Sequence, residues 1–248
     1  PNNLAAVGDN LFYACETPDV GIELCMFNLV NRTTTVVTDI NPSGDSNPGY
    51  PGDMVGFNGI LYFSAQPDGT EENTQLYQLN PELDTAPAEP SELAVFGEFL
   101  VFTAPAGDST PVFFLDPATG LTLVLADVNP AAPSDPSDLV QLGDNLYFAA
   151  TGPNGRQLYE VSPGGNVREV PGLNADGDSN PSGMIVFEGS LYFAADAGDG
   201  KGVEPYTYDP LTDVVELVAD LNPGPGSSSP STFGSQPNVL VFNADDGS

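Results

Sequence analysis

The sequence has no histidine and no tryptophan, only two cysteines, and four basic residues among 248. Each scarcity excludes something. Without histidine, the side chain that titrates nearest neutral pH is missing, and with it the commonest general base and metal ligand. Neither Cys15 nor Cys25 has a basic neighbour in sequence to lower its pKa, which argues against an activated thiol. Arg32, Arg156, Arg168 and Lys201 stand against 35 acidic residues, a formal net charge of −31. Nucleic acid and anionic lipid are thereby excluded as partners, because both are bound through Lys and Arg that neutralise phosphate. No stretch is long and apolar enough for a membrane-spanning helix. No basic and apolar leader precedes Pro1, so an exported chain is expected to have lost its signal already. No P-loop or dinucleotide glycine pattern opens a helix.

What is abundant is turn chemistry. Glycine (27) and proline (25) punctuate short apolar runs, and no long stretch carries a capped helical period. The run DVNPAAPSDPSDLVQLGDNLYFAA (residues 127–150) is the clearest copy of a pattern that fills the chain: an Asn-Pro loop, a Pro-Ser step and two apolar runs around a Gly turn. An apolar residue followed seven positions later by Leu recurs six times, at Leu4, Met54, Leu93, Leu139, Met184 and Phe233. A proline stands three residues before each: Pro1, Pro51, Pro90, Pro136, Pro181 and Pro230. Gly8, Gly59, Gly97, Gly143 and Gly189 fall between the paired runs, where a tight hairpin turn needs positive φ.

A second hairpin lies between successive copies. Its outgoing strand reads ELCMF, QLYQL, PVFFL, QLYEV or EPYTY, and its return strand carries Thr, Arg and Glu as an outer strand would. The return strand of the second repeat is not placed by the sequence. Each repeat is thus four short antiparallel strands, and a spacing of about 46 residues suits a propeller blade. The inner runs, MIVF and LYFAA, are apolar on both faces and need cover on both sides. Radially stacked blades supply that cover. The expected fold is all-β: a single β-propeller domain over residues 1–248, built from five to six four-stranded antiparallel blades, with six and one incomplete preferred. A β-solenoid is the alternative. Six first hairpins against five second hairpins is the pattern of a window from a longer repeat array, or of a ring whose last blade is half built.

These residues resemble a known repeat. DINP from Asp39, DVNP from Asp127, DLNP from Asp220, PSDL from Pro136, and LYFAA from Leu146 and Leu191 are similar to the ELWxxDGT repeat of large secreted and surface bacterial proteins. The resemblance covers nearly the whole chain. Its naming Trp is replaced by Cys25, Tyr77, Phe113 or Phe114, Tyr159 and Tyr206. It implies an exported, propeller-like repeat protein and carries no catalytic residue across.

Cys15 and Cys25 flank the loop ETPDVGIEL on neighbouring strands of one hairpin, so a disulfide between them is expected, favouring an oxidising, extracytoplasmic setting. For metal, the loop NADGDSN offers Asn174, Asp176, Asp178 and Asn180 at every second position, and NPSGDSN offers Asn41, Asp45 and Asn47. Such oxygen-rich spacing can serve calcium. It is not an EF-hand, and the same residues equally well cap their own turns. Asp39, Asp127 and Asp220 recur with the repeat and are expected to hold blade junctions. Tyr13, Tyr62, Tyr147 and Tyr192 could stack on sugars, but they sit in apolar runs and are expected in the core. Tyr206 and Tyr208, near Lys201 and Glu204, lie in a less apolar context and are a further binding candidate.

The expected function is a non-catalytic, extracellular or cell-surface propeller that serves as a structural or protein-interaction module. No cofactor is required, calcium is a candidate ligand, and no direct membrane insertion is expected. A glycan-binding propeller is the alternative, and a glycoside hydrolase with paired carboxylates the third reading.

Overall fold

The structure, a computed structural model, describes residues 4–18, 20–38, 40–50, 54–57, 59–79, 90–117 and 121–248. The chain divides into two compact units, Pro1–Val124 and Leu125–Ser248.

The first unit begins with a sheet of β1 (Leu4–Val7), β2 (Asn10–Thr17), β3 (Gly21–Asn28) and β4 (Thr33–Thr38). A second sheet holds β5 (Met54–Phe57), β6 (Ile60–Ala65) and β7 (Gln75–Gln78), and residues 80–89, where its return strand would fall, are outside those described. A third holds β8 (Ser91–Phe96), β9 (Phe99–Thr103), β10 (Val112–Asp116) and β11 (Leu121–Ala126). In the second unit β12 (Ser137–Leu142), β13 (Asn145–Gly152), β14 (Gly155–Val161) and β15 (Val167–Glu169) form one sheet. The next is β16 (Ser182–Phe187), β17 (Ser190–Asp196), β18 (Val203–Asp209) and β19 (Val214–Leu217), and the last is the hairpin β20 (Ser231–Gln236) and β21 (Val239–Asn243). Strands neighbour one another in chain order within every sheet, and the pairs are antiparallel. The six first hairpins are those the sequence pattern marks.

The hairpin turns follow from backbone geometry. Gly8, Gly59, Gly97, Gly143 and Gly189 have φ between 57° and 83°, and nothing crowds their α-carbons, so it is the dihedral and not space that selects glycine. In the sixth hairpin Asn238 takes the same place at φ 62°. Asn tolerates that region better than most side chains.

A second left-handed position follows each described repeat proline by two. Glu92, Asp138, Gly183 and Thr232 have φ of 53°, 57°, 65° and 55°, and at each the pairing register of the first strand slips. This is a β-bulge, which twists the entering strand. The corresponding Pro1 and Pro51 lie outside the described residues.

The inner strands are buried as their composition requires. Leu146, Tyr147, Phe148, Ala149 and Ala150 of β13 have no exposed surface, whereas β4 is mostly exposed. One aromatic pair recurs across the second and third strands: Phe63 with Tyr77, Phe102 with Phe113, Phe148 with Tyr159 and Phe193 with Tyr206. Each pair is directly opposed in the ladder and stacked within 15–24° of parallel. Tyr62 and Tyr147 are core residues, as expected, and Tyr13 and Tyr192 are half-buried. Tyr206 and Tyr208 depart from expectation, for they are buried with 4% and 0% exposure. Both pack in the cluster with Tyr147, Leu158, Val170 and Phe193, side chains of the preceding sheet and of their own. Glu204 shares their face of β18 and is buried as they are, and Lys201 lies in the loop before the strand.

Candidate functional site

The conspicuous buried polar residues form one recurring device. Glu23 begins the ELC stretch of β3 and is fully buried. Its Oε1 accepts from Ser46 N–H (3.1 Å), and its Oε2 accepts from Ile40 N–H (2.8 Å) and Ser46 Oγ–H (2.6 Å). Glu204 repeats this on β18: Oε1 accepts from Ser228 N–H (2.9 Å), and Oε2 from Leu221 N–H (3.0 Å) and Ser228 Oγ–H (2.6 Å). In the intervening junction Gln157 takes the place, accepting from Ser179 Oγ–H (2.6 Å) and donating to the carbonyls of Asn174 (2.7 Å) and Gly177 (2.6 Å).

The serine also reaches the next sheet. Its carbonyl accepts from Gln66 N–H, Asp196 N–H and Asp245 N–H in the three junctions, at or just past the end of the second strand that follows. The third strand of one sheet is thus pinned through a buried serine to the second strand of the next. The residue between that serine and the following proline is left-handed in every described copy: Asn47, Asp135, Asn180 and Ser229 at φ 43–46°. The motif is Ser-x-Pro, and only its proline shows in the apolar spacing.

The candidate metal residues belong to the same loops. Asp45 Oδ1 accepts from Ile22 N–H (2.8 Å), Asp178 Oδ1 from Arg156 N–H (2.7 Å), and Ser227 Oγ from Val203 N–H (2.9 Å). The preceding glycines, Gly21, Gly155 and Gly202, have positive φ, and a Cβ there would collide with these same oxygens. Asn41, Asn174 and Asn222 donate to the carbonyls of Asp45, Asp178 and Ser227. Asn41 and Asn174 also accept from Ser43 N–H and Asp176 N–H. Asn47 donates to Gln66 Oε1 (2.9 Å), while Asp176 and Asn180 are exposed. The structure therefore gathers Asn41 with Asp45 and Asn174 with Asp178 as turn-closing pairs. Among the described residues no three Asp, Glu or Cys side chains converge as a metal shell. Asp127 closes a turn by accepting from Asn129 N–H (3.1 Å), Asp220 is partly buried, and Asp39 lies outside the described residues.

Two arginines are also structural. Arg168 reaches Glu160 (2.6 Å), Asp213 (2.9 Å) and the buried Tyr208 hydroxyl (3.0 Å), joining β15 to the β18–β19 hairpin. The hydrogen bond from Arg168, with one from Tyr208, holds the Asp213 carboxyl below the usual range. Arg156 donates to Asp135 O and Ser137 Oγ. Burial, reinforced by the charges of Asp199, Asp196, Glu204 and Asp220, pushes the Tyr206 phenol up to about 12. Cys15 and Cys25 form a disulfide across β2 and β3, with α-carbons 5.8 Å apart.

Among the described loops that carry Ser-x-Pro, the first has an insertion. Pro48 lies six residues before Met54, whereas Pro181 lies three before Met184, so Gly49, Tyr50 and a further residue are inserted. Tyr50 is half exposed and lines an open depression of about 340 Å³ with Ala14, Glu16, Ile22, Asn47 and Pro48. Its hydroxyl donates to Glu71 (3.1 Å), and that bond and charge push the phenol up. Apolar side chains beside an aromatic ring and the Glu16 carboxylate suit an aliphatic chain that ends in a cation. Sequence reasoning passes over Tyr50, although the extra residues beside a repeated Ser-x-Pro were a visible signal.

No protein-family model and no curated protein matches the sequence. The fold is similar to solved structures. A prolyl endopeptidase is 13% identical with a TM-score of 0.59, over 87% of this chain and 34% of its own. TolB from Acinetobacter baumannii is 13% identical with a TM-score of 0.52, over 97% of this chain and 63% of its own. A chain of a nidogen/laminin complex is 13% identical with a TM-score of 0.50, over 86% of this chain and 77% of its own. The chain thus spans less than two thirds of the first two. Such likeness shows the fold, and the fold is the β-propeller kind, built from four-stranded antiparallel sheets.

Proposed function

We propose that this chain is a non-catalytic, extracytoplasmic β-propeller that works as a protein-interaction module in a surface or extracellular assembly. The observation that carries the reading is a division of labour among its polar residues. Those that recur, Glu23, Gln157, Glu204 and the serines they hold, are buried and fully engaged in joining sheets. Those that do not recur include Glu16 and Tyr50, which line an open depression, and Glu71, which accepts from the Tyr50 hydroxyl. A rigid scaffold that presents one irregular loop is how binding surfaces are commonly built. The disulfide supports an oxidising compartment. The resemblance to ELWxxDGT repeats points the same way, and one structure of similar fold is itself a complex of two proteins. The net charge of −31 favours a basic partner.

The test is binding of the intact chain to candidate surface and extracellular proteins, with a glycan array alongside. The reading expects a protein partner whose affinity drops at least tenfold in Tyr50→Ala, with a salt dependence that Glu71→Gln reduces. Saturable glycan binding at several equivalents per chain would favour a lectin instead. Glycoside hydrolysis abolished by one carboxylate-to-amide change would favour an enzyme.

A further inference from the structure

Two irregular loops of the first unit are tied together so that Tyr50 is held in place with its ring half in water. The loop from β6 to β7 runs over residues 66–74, where Pro153 and Asn154 alone join β13 to β14. It folds on itself: Asp68 accepts from Thr70 N–H, the Thr70 hydroxyl and the Asn73 side chain, and a 3-10 turn spans Glu71–Asn73. Gly69 of this loop passes so close to Asn41 Nδ2 and Asp45 O that a Cβ there would press on both, at 3.2 and 3.3 Å. The inserted residues are anchored as firmly. Gly49 N–H donates to Ser64 O (2.7 Å), Tyr50 N–H to Asn47 O (3.0 Å), and the Tyr50 hydroxyl to Glu71 Oε1 (3.1 Å). Fixing a ring that stays half exposed adds little to the core. It does remove beforehand the ordering cost that a binding contact would otherwise carry.

We propose that the Tyr50 depression binds an arginine side chain of the partner protein, an inference that rests on the interaction reading of the same surface. Its lining discriminates between cations. Ala14, Ile22 and Pro48 offer apolar contact to a methylene stem, and Tyr50 is the single aromatic side chain among the lining residues. A methylated ammonium is held by a cage of several rings, which one tyrosine does not make. A plain lysine ammonium is strongly hydrated and gains little from one exposed ring. A guanidinium is planar and more weakly hydrated, so it stacks flat on the phenol and points its N–H groups outward in plane. Carboxylate oxygens are present to accept them. Glu16 lines the depression and makes no hydrogen bond or ion pair among the described residues, and the Glu71 side chain engages the tyrosine through Oε1 alone. By donating to a carboxylate, the phenol also gains electron density in its ring, which favours a cation on its face. The net charge of −31 draws a basic partner from a distance, and this depression gives one of its arginines a place to dock.

The experiment follows the amide NMR shifts of the intact chain as it is titrated with two capped pentapeptides, Gly-Ser-Arg-Ser-Gly and its lysine counterpart, at one ionic strength. Both peptides carry one positive charge, so bulk attraction is the same for each. Saturable one-to-one binding of the arginine peptide is expected, tighter than that of the lysine peptide by about fivefold or more. The shifts are expected to centre on Glu16, Ile22 and Tyr50, which locates the site in the unaltered chain whether or not a variant folds. Tyr50→Leu is expected to erase the preference for arginine, whereas Tyr50→Phe, which keeps the ring and loses the bond to Glu71, is expected to retain it. Glu16→Gln is expected to weaken the arginine peptide by about threefold or more. No saturable binding, equal affinity for the two peptides, shifts centred elsewhere, or a preference that survives Tyr50→Leu would overturn the proposal. A protein partner that Tyr50→Ala weakens, with no preference for the arginine peptide, would overturn the arginine assignment alone. A Tyr50-dependent preference for arginine, with no protein partner that Tyr50→Ala weakens, would overturn the interaction reading alone.

Discussion

Glu204 has no exposed surface, yet it carries a carboxylate into the interior, and its three donors are the reason it can. A buried donor left without a partner costs about 1–3 kcal/mol. Glu204→Ala orphans Leu221 N–H, Ser228 N–H and the Ser228 hydroxyl together, and its expected loss of stability in urea unfolding is about 3 kcal/mol or more. Glu204→Gln keeps one acceptor and is expected to cost less, about 1–2 kcal/mol, because Gln157 already fills the equivalent place by donating to loop carbonyls. Equal losses in the two variants would mean that the site tolerates no amide. Tyr206 gives a pH prediction. Its folded pKa is raised, so its contribution is full below the unfolded value of about 10 and disappears as pH rises toward about 12. Stability should fall across that window, and Tyr206→Phe should flatten the fall. The burial of Tyr206 was not legible in the sequence, because cover for the third strand comes from the preceding sheet and leaves no local trace. The aromatic positions, the glycine turns and the disulfide were legible, because each is a local requirement of a strand or a turn.

Among elements, the strand entries carry the clearest backbone cost. Thr232 sits at φ 55°, a conformation that β-branched residues strongly resist, where Gly183 occupies the same step at φ 65°. Thr232→Gly is expected to stabilise the chain by about 1 kcal/mol, and Gly183→Thr to destabilise it by more. The asymmetry arises because a Cβ at Gly183 would also press on the Phe233 ring at 3.1 Å. Thermal unfolding of the two variants checks both signs. Reduction of Cys15–Cys25 is expected to cost about 2–3 kcal/mol, seen as a lower midpoint in reductant. The sequence announces the six first hairpins because an apolar period of two and a turn residue suffice to write them. It hides the Ser-x-Pro pin, because a serine looks like any loop serine until the glutamate that holds it is brought near.

At the scale of the molecule, charge is the dominant imbalance. Arg156 and Arg168 are engaged inside the second unit and Lys201 pairs with Asp199, so little positive charge offsets 35 acids. Self-repulsion of that kind is relieved by ions, and the unfolding midpoint should climb with monovalent salt before it levels. The recurring Asp and Asn side chains close turns and join sheets in the described structure. Thermal unfolding in chelator, in calcium and in magnesium, at one high monovalent salt concentration, distinguishes that role from calcium ligation. Turn chemistry predicts the same small shift for both divalent ions. A rise of many degrees with calcium that magnesium does not reproduce would contradict it, and would make Asn174, Asp176, Asp178, Asn180, Asn41, Asp45 and Asn47 the ligands to examine.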